Sequence, residues 1–272
     1  MARSLSHRVE PLASRWMSIP RRTGRRVSSG RAAAPGEPKR ITDVTSISTR
    51  TLLTSAVLSA PLFAVVSLTQ AFTRAGFDLT RYPLSALSNG SLGWLQITNF
   101  LLSGALTIVG ATGLRRVLRG TPGGTWVPRL VRAYGIGYLL AGVFRMDPGG
   151  GFPVGAPTPS TMSWHSDLHM LVGSVSFACL IAACFVLGRH YTRAGRRGFA
   201  IASRVFGVAA AAGNVWAMIG GTAGSLTLCV GVVSAMLWVS LVASTKLSQP
   251  VQGDVHVAQH RDVTVVGAQP QL

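Results

Sequence analysis

From Val205 to Thr245 the chain carries no charged residue. A helix crossing a bilayer needs about 20 apolar residues, so this stretch is too long for one span. Gly220-Gly221-Thr222-Ala223-Gly224 interrupts it. It reads as two membrane helices joined by a tight hairpin, the first beginning near Phe199. The same pattern recurs upstream. Uncharged runs lie at Thr51 to Phe72, Leu92 to Leu114 and Leu168 to Leu187, with Trp94 near the start of the second as an interfacial anchor. A weaker run, Ala133 to Phe144, lies between Arg132 and Arg145. Arginines near helix ends can snorkel to the interface, so this run extends from Leu130 to Met146, about 25 Å at 1.5 Å per residue. The expected fold is therefore all-α, a polytopic membrane bundle of six transmembrane helices.

Composition agrees. Hydrophobic residues make up 48%, charged residues 12%, and mean hydropathy is +0.38, whereas a soluble domain carries about 25% charged residues. The formal net charge of +18 would suit a nucleic-acid partner. The arginines, however, cluster at the ends of apolar runs, where they act as topology signals, so nucleic acid is not expected as a partner. Arg115, Arg116, Arg119, Arg129 and Arg132 fall in one connection, and Arg189, Arg193, Arg196 and Arg197 in another. The alternate connections hold Arg74 and Arg81, then Arg145, then none. Positive residues mark the cytoplasm, which places both termini inside and supports the third span, because the alternation fails without it.

Residues 1–49 are rich in Arg, Ser, Pro, Gly and Ala and lack periodicity, so they read as a disordered basic cytoplasmic tail able to touch anionic headgroups. An organelle transit peptide has a similar composition, and Met17 offers a second start. Residues 50–246 form the transmembrane domain, and 247–272 a second disordered cytoplasmic tail. Membrane lipids are the expected partners. Cys179, Cys184 and Cys229 all lie inside apolar runs, which points away from disulfides and cysteine metal motifs.

Between Val44 and Thr245 the only acidic residues are Asp78, Asp147 and Asp167. All fall at the expected outer face, with His165 and His169. The i, i+4 spacing of the two histidines puts them on one helix face, where two imidazoles can reach one ion. Asp147, at the outer end of the third span, completes a His, His, Asp set suited to zinc or iron. Ser85 stands nearby, and Tyr82 and Ser88 could add hydroxyls. The same residues also suit purely structural roles. Asp167 complements a helix N-terminus, and Asp147 before Pro148 can open a turn. The candidate ligand-binding residues are thus Ser85, Asp147, His165 and His169, and the candidate metal ligands Asp147, His165 and His169. The Pro- and Gly-rich stretch from Asp147 to Pro159 could fold back over the outer mouth or serve as a plain connection. Within the spans, Gln96, Asn99 and Asn214 are expected to join helices, and Ser203, Gly207 and Ala211 form a small-residue packing stripe.

The run Tyr82-Pro83-Leu84-Ser85-Ala86-Leu87, then Gly93-Trp94-Leu95-Gln96 and Asn99-Phe100, resembles bacterial six-helix membrane proteins of the domain of unknown function 998 family. So does Gly142-Val143-Phe144-Arg145-Met146-Asp147-Pro148, followed by Gly151-Phe152-Pro153 and Leu168-His169. The resemblance covers roughly Thr51 to Thr245. It implies a fold but no reaction, and its motif positions Pro83, Ser85, Trp94, Asp147, Pro148 and His169 coincide with the candidate site. A more distant similarity is to seven-helix membrane hydrolases such as the alkaline ceramidases and the adiponectin-receptor-like proteins, which hold zinc with a Ser, an Asp and three His. This chain has six expected spans and lacks the third histidine at that depth, since His190 falls on the other side. Three functions follow as expectations. One is a non-enzymatic membrane protein binding a lipid or small molecule at its outer face. The second is a metal-dependent hydrolase of a lipid amide or ester, with zinc as cofactor. The third is a small transporter, although no acid or histidine lies at mid-membrane for a proton relay.

Overall fold

A computed structural model describes residues 47–157 and 159–248. Six α-helices follow one another: α1 (Thr49–Thr73), α2 (Gly93–Val117), α3 (Trp126–Val143), α4 (Trp164–Arg193), α5 (Arg197–Met218) and α6 (Gly224–Leu247), with a short 3-10 turn (Leu84–Ser88) between α1 and α2. No strand occurs among the described residues. Helices α1 and α6 reach one residue beyond the expected domain limits on either side. Apart from residues 47–49 and 247–248, the expected tails lie outside the described residues.

Five helices are long and apolar enough to cross a membrane, and α3 is the exception. The protein is a multi-pass membrane bundle by that measure. Large apolar side chains such as Leu58, Val65, Val175, Val208 and Leu241 face outward, as they do where the surrounding solvent is lipid. Helix α3 runs from Trp126 to Val143, four residues earlier at its start than the expected Leu130 and three short of Met146. Pro128 falls in its first turn, where a missing N–H is harmless, so the helix can begin ahead of the proline. At the other end Phe144 turns to an extended conformation. The α3 helix is 18 residues long, about 27 Å at 1.5 Å per residue.

Each helix packs on its neighbours in sequence, and α1 packs on α6, so the six close into a ring. Small residues permit the approach. A methyl group on Gly110 of α2 would lie 2.5 Å from Ala56 Cβ of α1, and one on Gly137 of α3 would lie 2.6 Å from Ser176 Cβ of α4. The stripe expected on α5 is a packing surface, with Gly207 against Cys184 and the Ser203 hydroxyl accepting from Trp238 Nε1 at 3.0 Å. Between α1 and α2 a buried amide and hydroxyl network fills the role expected of Gln96 and Asn99. Gln96 Oε1 accepts from Ser67 Oγ at 3.1 Å and from Gln70 Nε2 at 3.0 Å, and Asn99 Nδ2 donates to the Phe63 carbonyl at 3.1 Å. The ring interior is closed by aromatic contacts among Phe63, Phe100 and Tyr138, with centroids 5.0 to 5.5 Å apart.

The three acidic residues among the described residues gather at one end of the bundle. There Phe152 of the α3–α4 connection packs on Phe77 and Tyr82 of the α1–α2 connection, and Ser225 at the start of α6 donates to the Arg81 carbonyl at 3.1 Å. The α3–α4 connection thus folds back across this end, pinned by the Tyr82 hydroxyl to the Gly150 carbonyl. The opposite end carries the arginine clusters.

Two glycines distinguish packed from open surface. Gly137→Leu should destabilise the purified protein by about 1–3 kcal/mol through overpacking. Gly173→Ala, where an added methyl group meets nothing within 4 Å, should be neutral or stabilising by up to about 1 kcal/mol. Melting curves in detergent compare the two.

Candidate functional site

Asp147 sits four residues past the end of α3 and reaches the start of α4. Its Oδ2 accepts the Ser163 backbone N–H at 2.7 Å and its Oδ1 accepts the Ser163 hydroxyl at 2.6 Å. Its own N–H donates to Ser166 Oγ at 3.3 Å. Ser163 in turn caps α4, accepting the Ser166 N–H at 3.3 Å. The Ser163 hydroxyl first, and its backbone N–H second, hold the Asp147 carboxyl below the usual carboxylate range, as hydrogen bonds to a charged form do. Asp78 is lowered in the same way by Thr80.

His169, one turn into α4, is buried. Its Nδ1 lies 2.7 Å from the Phe144 carbonyl and 3.2 Å from the Ala141 carbonyl. Carbonyls only accept, so Nδ1 carries the proton, and in the neutral ring Nε2 keeps a lone pair. His169 therefore ties off the carbonyls left open where α3 ends. His165 shares the helix but is exposed, with its ring 3.7 Å from that of Trp164 and 5.9 Å from that of Phe144. Asp167 is also exposed.

The expected His, His, Asp set thus gathers at one corner without a common point. Both Asp147 oxygens accept from Ser163, His169 Nδ1 donates to the Phe144 carbonyl, and His165 is exposed where His169 is buried. Among the described residues no three His, Cys, Asp or Glu side chains are arranged to hold a metal ion.

What the corner does border is a cavity of about 300 Å³. Its walls come from all six helices and are mainly apolar, with Phe63, Phe100, Phe177, Met170, Leu228 and Val232 prominent. Ser85 and His169 line it, together with Asn214, and Asp147 and His165 do not. No Asp, Glu, Lys or Arg lines it. Pro83, Leu84, Ser85 and Met146 close it toward the acidic end. Tyr82 and Ser88 use their hydroxyls on the carbonyls of Gly150 and Ser85 instead. Ser85 Oγ finds only the Met146 sulfur at 3.5 Å, and Asn214 Nδ2 only the Met218 sulfur at 3.8 Å. A thioether is a weak acceptor, so both polar groups remain available to a better one. Asn214, expected to join helices, instead borders this space. Gly173 and Asn214 carry the cavity wall on α4 and α5. A glycine with open space above it and an amide lacking a partner helix are signals visible only in three dimensions.

Asp147→Asn keeps the shape of the corner but removes one acceptor, and should lower stability by about 1 kcal/mol, while Asp167→Asn should change little. A carboxyl lowered on folding stabilises fully above its unfolded value, about 3.9, and loses that contribution as pH falls through the lower folded value. The gap between wild type and Asp147→Asn should therefore close as pH is taken below about 3.9; melting temperatures across pH measure it.

A family model described as "Protein of unknown function (DUF998)" matches residues 57–245, more than half of the chain. No curated protein and no solved structure matches.

Proposed function

The chain belongs to the DUF998 family, as the motifs around Tyr82, Gly93 and Asp147 led one to expect, and with that family membership as premise we propose that it is a six-span membrane protein that binds an uncharged lipid or similar small apolar molecule in its internal cavity. Both termini then lie in the cytoplasm, with the acidic end outside. The observation that carries the reading is the cavity of about 300 Å³ between the halves of α4 and α5 nearest the acidic end. Small-molecule sites are concave and mostly apolar, with a few placed polar groups. Here those groups are the Ser85 hydroxyl, the Asn214 amide and the His169 ring, set against apolar walls without a charged side chain. A charged ligand would be buried without a partner, which is strongly unfavourable. A hydroxyl, ester or amide on a short apolar body fits: its oxygen accepts from Ser85 or Asn214, and a donor on it reaches His169 Nε2.

Gly173→Phe tests the cavity, since residue 173 borders it and an added Cβ meets nothing within 4 Å. Protein purified in mild detergent should carry a co-purifying neutral lipid-like species in near one-to-one amount by mass spectrometry. Gly173→Phe should lose it while keeping its melting temperature. Equal loading of the two proteins would refute a cavity ligand. Metal analysis of the same samples addresses the metal-dependent hydrolase: one zinc per chain, lost in His169→Ala, would replace the proposed reading. Orientation is checked in a cysteine-free background, where an impermeant reagent added outside should label Ser160→Cys and spare Thr192→Cys. The reverse pattern would overturn the topology.

A further inference from the structure

The arginines between α2 and α3 do more than mark an end of the bundle. Arg115, Arg116 and Arg119 leave α2 as it ends, and Arg129 and Arg132 belong to the first turns of α3. Arg129 and Arg132 are three residues apart on α3 and share a helix face, while Arg119 lies in the turn two residues past the end of α2. All five line one basin of about 680 Å³, with Thr112, Thr121 and Thr125. The acids among the described residues, Asp78, Asp147 and Asp167, are all at the other end, so none of them neutralises it.

The basin is built rather than incidental. Its floor is a folded turn in which Thr121 donates from both its N–H and its hydroxyl to the Leu118 carbonyl, at 3.1 and 2.7 Å. Gly124 N–H then donates to Thr121 at 3.0 Å and Val127 N–H to Gly123 at 2.9 Å. His190 Nδ1 donates to the Pro122 carbonyl at 2.8 Å and locks the turn to the end of α4. Arg132 is braced by Thr112 Oγ1 at 3.1 Å, and Arg116 donates to the Ile47 carbonyl at 2.7 Å. Arg115, Arg119 and Arg129 have no hydrogen-bond partner among the described residues and are exposed to the basin. The N-terminus of α3 opens onto the same space, and Thr125 makes no side-chain cap there. Such a terminus favours an anion. Trp126, 59% exposed at the first residue of α3, marks headgroup depth, where tryptophan concentrates.

We propose that this basin binds a phosphate-bearing anion of more than one negative charge, seated between Arg115, Arg119 and Arg129 at the α2–α3 turn. Guanidinium groups match phosphate oxygens in a bidentate geometry. Five positive charges around one space, with no acidic side chain beside them among the described residues, fit two phosphates better than one. Paired phosphates are offered both by a lipid headgroup with two phosphates and by soluble pyrophosphate. The site is separate from the internal cavity and stands or falls independently of its ligand.

The test uses the full chain, delipidated in a neutral detergent, with cardiolipin, phosphatidylglycerol and inorganic pyrophosphate as probes. Native mass spectrometry and thermal shift should show cardiolipin retained more strongly than phosphatidylglycerol. The pair Arg119→Gln with Arg129→Gln should weaken cardiolipin binding about tenfold. The pair Arg189→Gln with Arg193→Gln removes the same charge from the same end of the bundle and should leave binding nearly intact. Arg119→Lys with Arg129→Lys keeps the charge but not the fork, and should fall between. Pyrophosphate that displaces cardiolipin assigns the site to the paired phosphates themselves. Failure to displace it assigns the site to the lipid. Equal weakening by the two glutamine pairs, or no binding of any probe, would overturn the proposal. Unchanged melting temperatures of the lipid-free variants verify that the fold is intact; a variant that melts early is replaced in the comparison by its lysine counterpart.

Discussion

Two imidazoles on α4 hold the weakest helix of the bundle in place. Helix α3 contains two arginines and falls short of the apolar length of its neighbours. His169 takes the carbonyls of Ala141 and Phe144 where α3 ends, and His190 takes the carbonyl of Pro122 just before it begins. The two histidines are 21 positions apart, about 31 Å along a helix, close to the thickness of a bilayer core. The two contacts position the helix at both of its ends. With α3 fixed, Tyr138 reaches Phe63 and Phe100 at the centre of the ring, and the floor of the arginine basin is fixed as well.

The same clamp explains the outcome for the residues singled out by sequence. His169 packs against the end of α3, with one of its nitrogens committed to backbone. Asp147 is committed on both oxygens to Ser163. The i, i+4 relation to His165 holds along the helix, but His165 lies a full turn nearer the end, beyond the packed interior, and stacks on Trp164 instead. Chemistry-bearing residues could be assigned to one end of the bundle from chain order alone. Their orientation could not, because it depends on which neighbouring carbonyls lack partners.

Five of the six helices were legible because hydrophobicity summed over some 20 residues is a local property. The register of α3 was not, because Pro128 is compatible with a first turn and the helix end is decided by α4. The family resemblance was legible in the motifs that line the acidic end, from Tyr82-Pro83 through Asp147-Pro148 to His169. The cavity was not. Near the arginine end α4 and α5 meet closely, with Gly188 on Arg204 and Gly207 on Cys184. Toward the acidic end Gly173 faces empty space. A mid-helix glycine normally suggests close packing, and nothing in the one-dimensional pattern separates the two cases.

The ring order of the helices has a consequence for biogenesis. The extensive interfaces, with one exception, join helices adjacent in the chain, and α4 and α6 touch only slightly, so each hairpin can dock on its predecessor as it emerges, with little loop entropy to overcome. The exception is the seam between α1 and α6, closed by the Ser240 hydroxyl on the Ala56 carbonyl at 2.7 Å. The cavity has Phe63 of α1 and Leu228 and Val232 of α6 among its walls, so its enclosure is complete only once that seam forms. An occupant of the cavity would thus act as a late-stage folding ligand, recognising the finished protein and favouring it over an open, five-helix precursor.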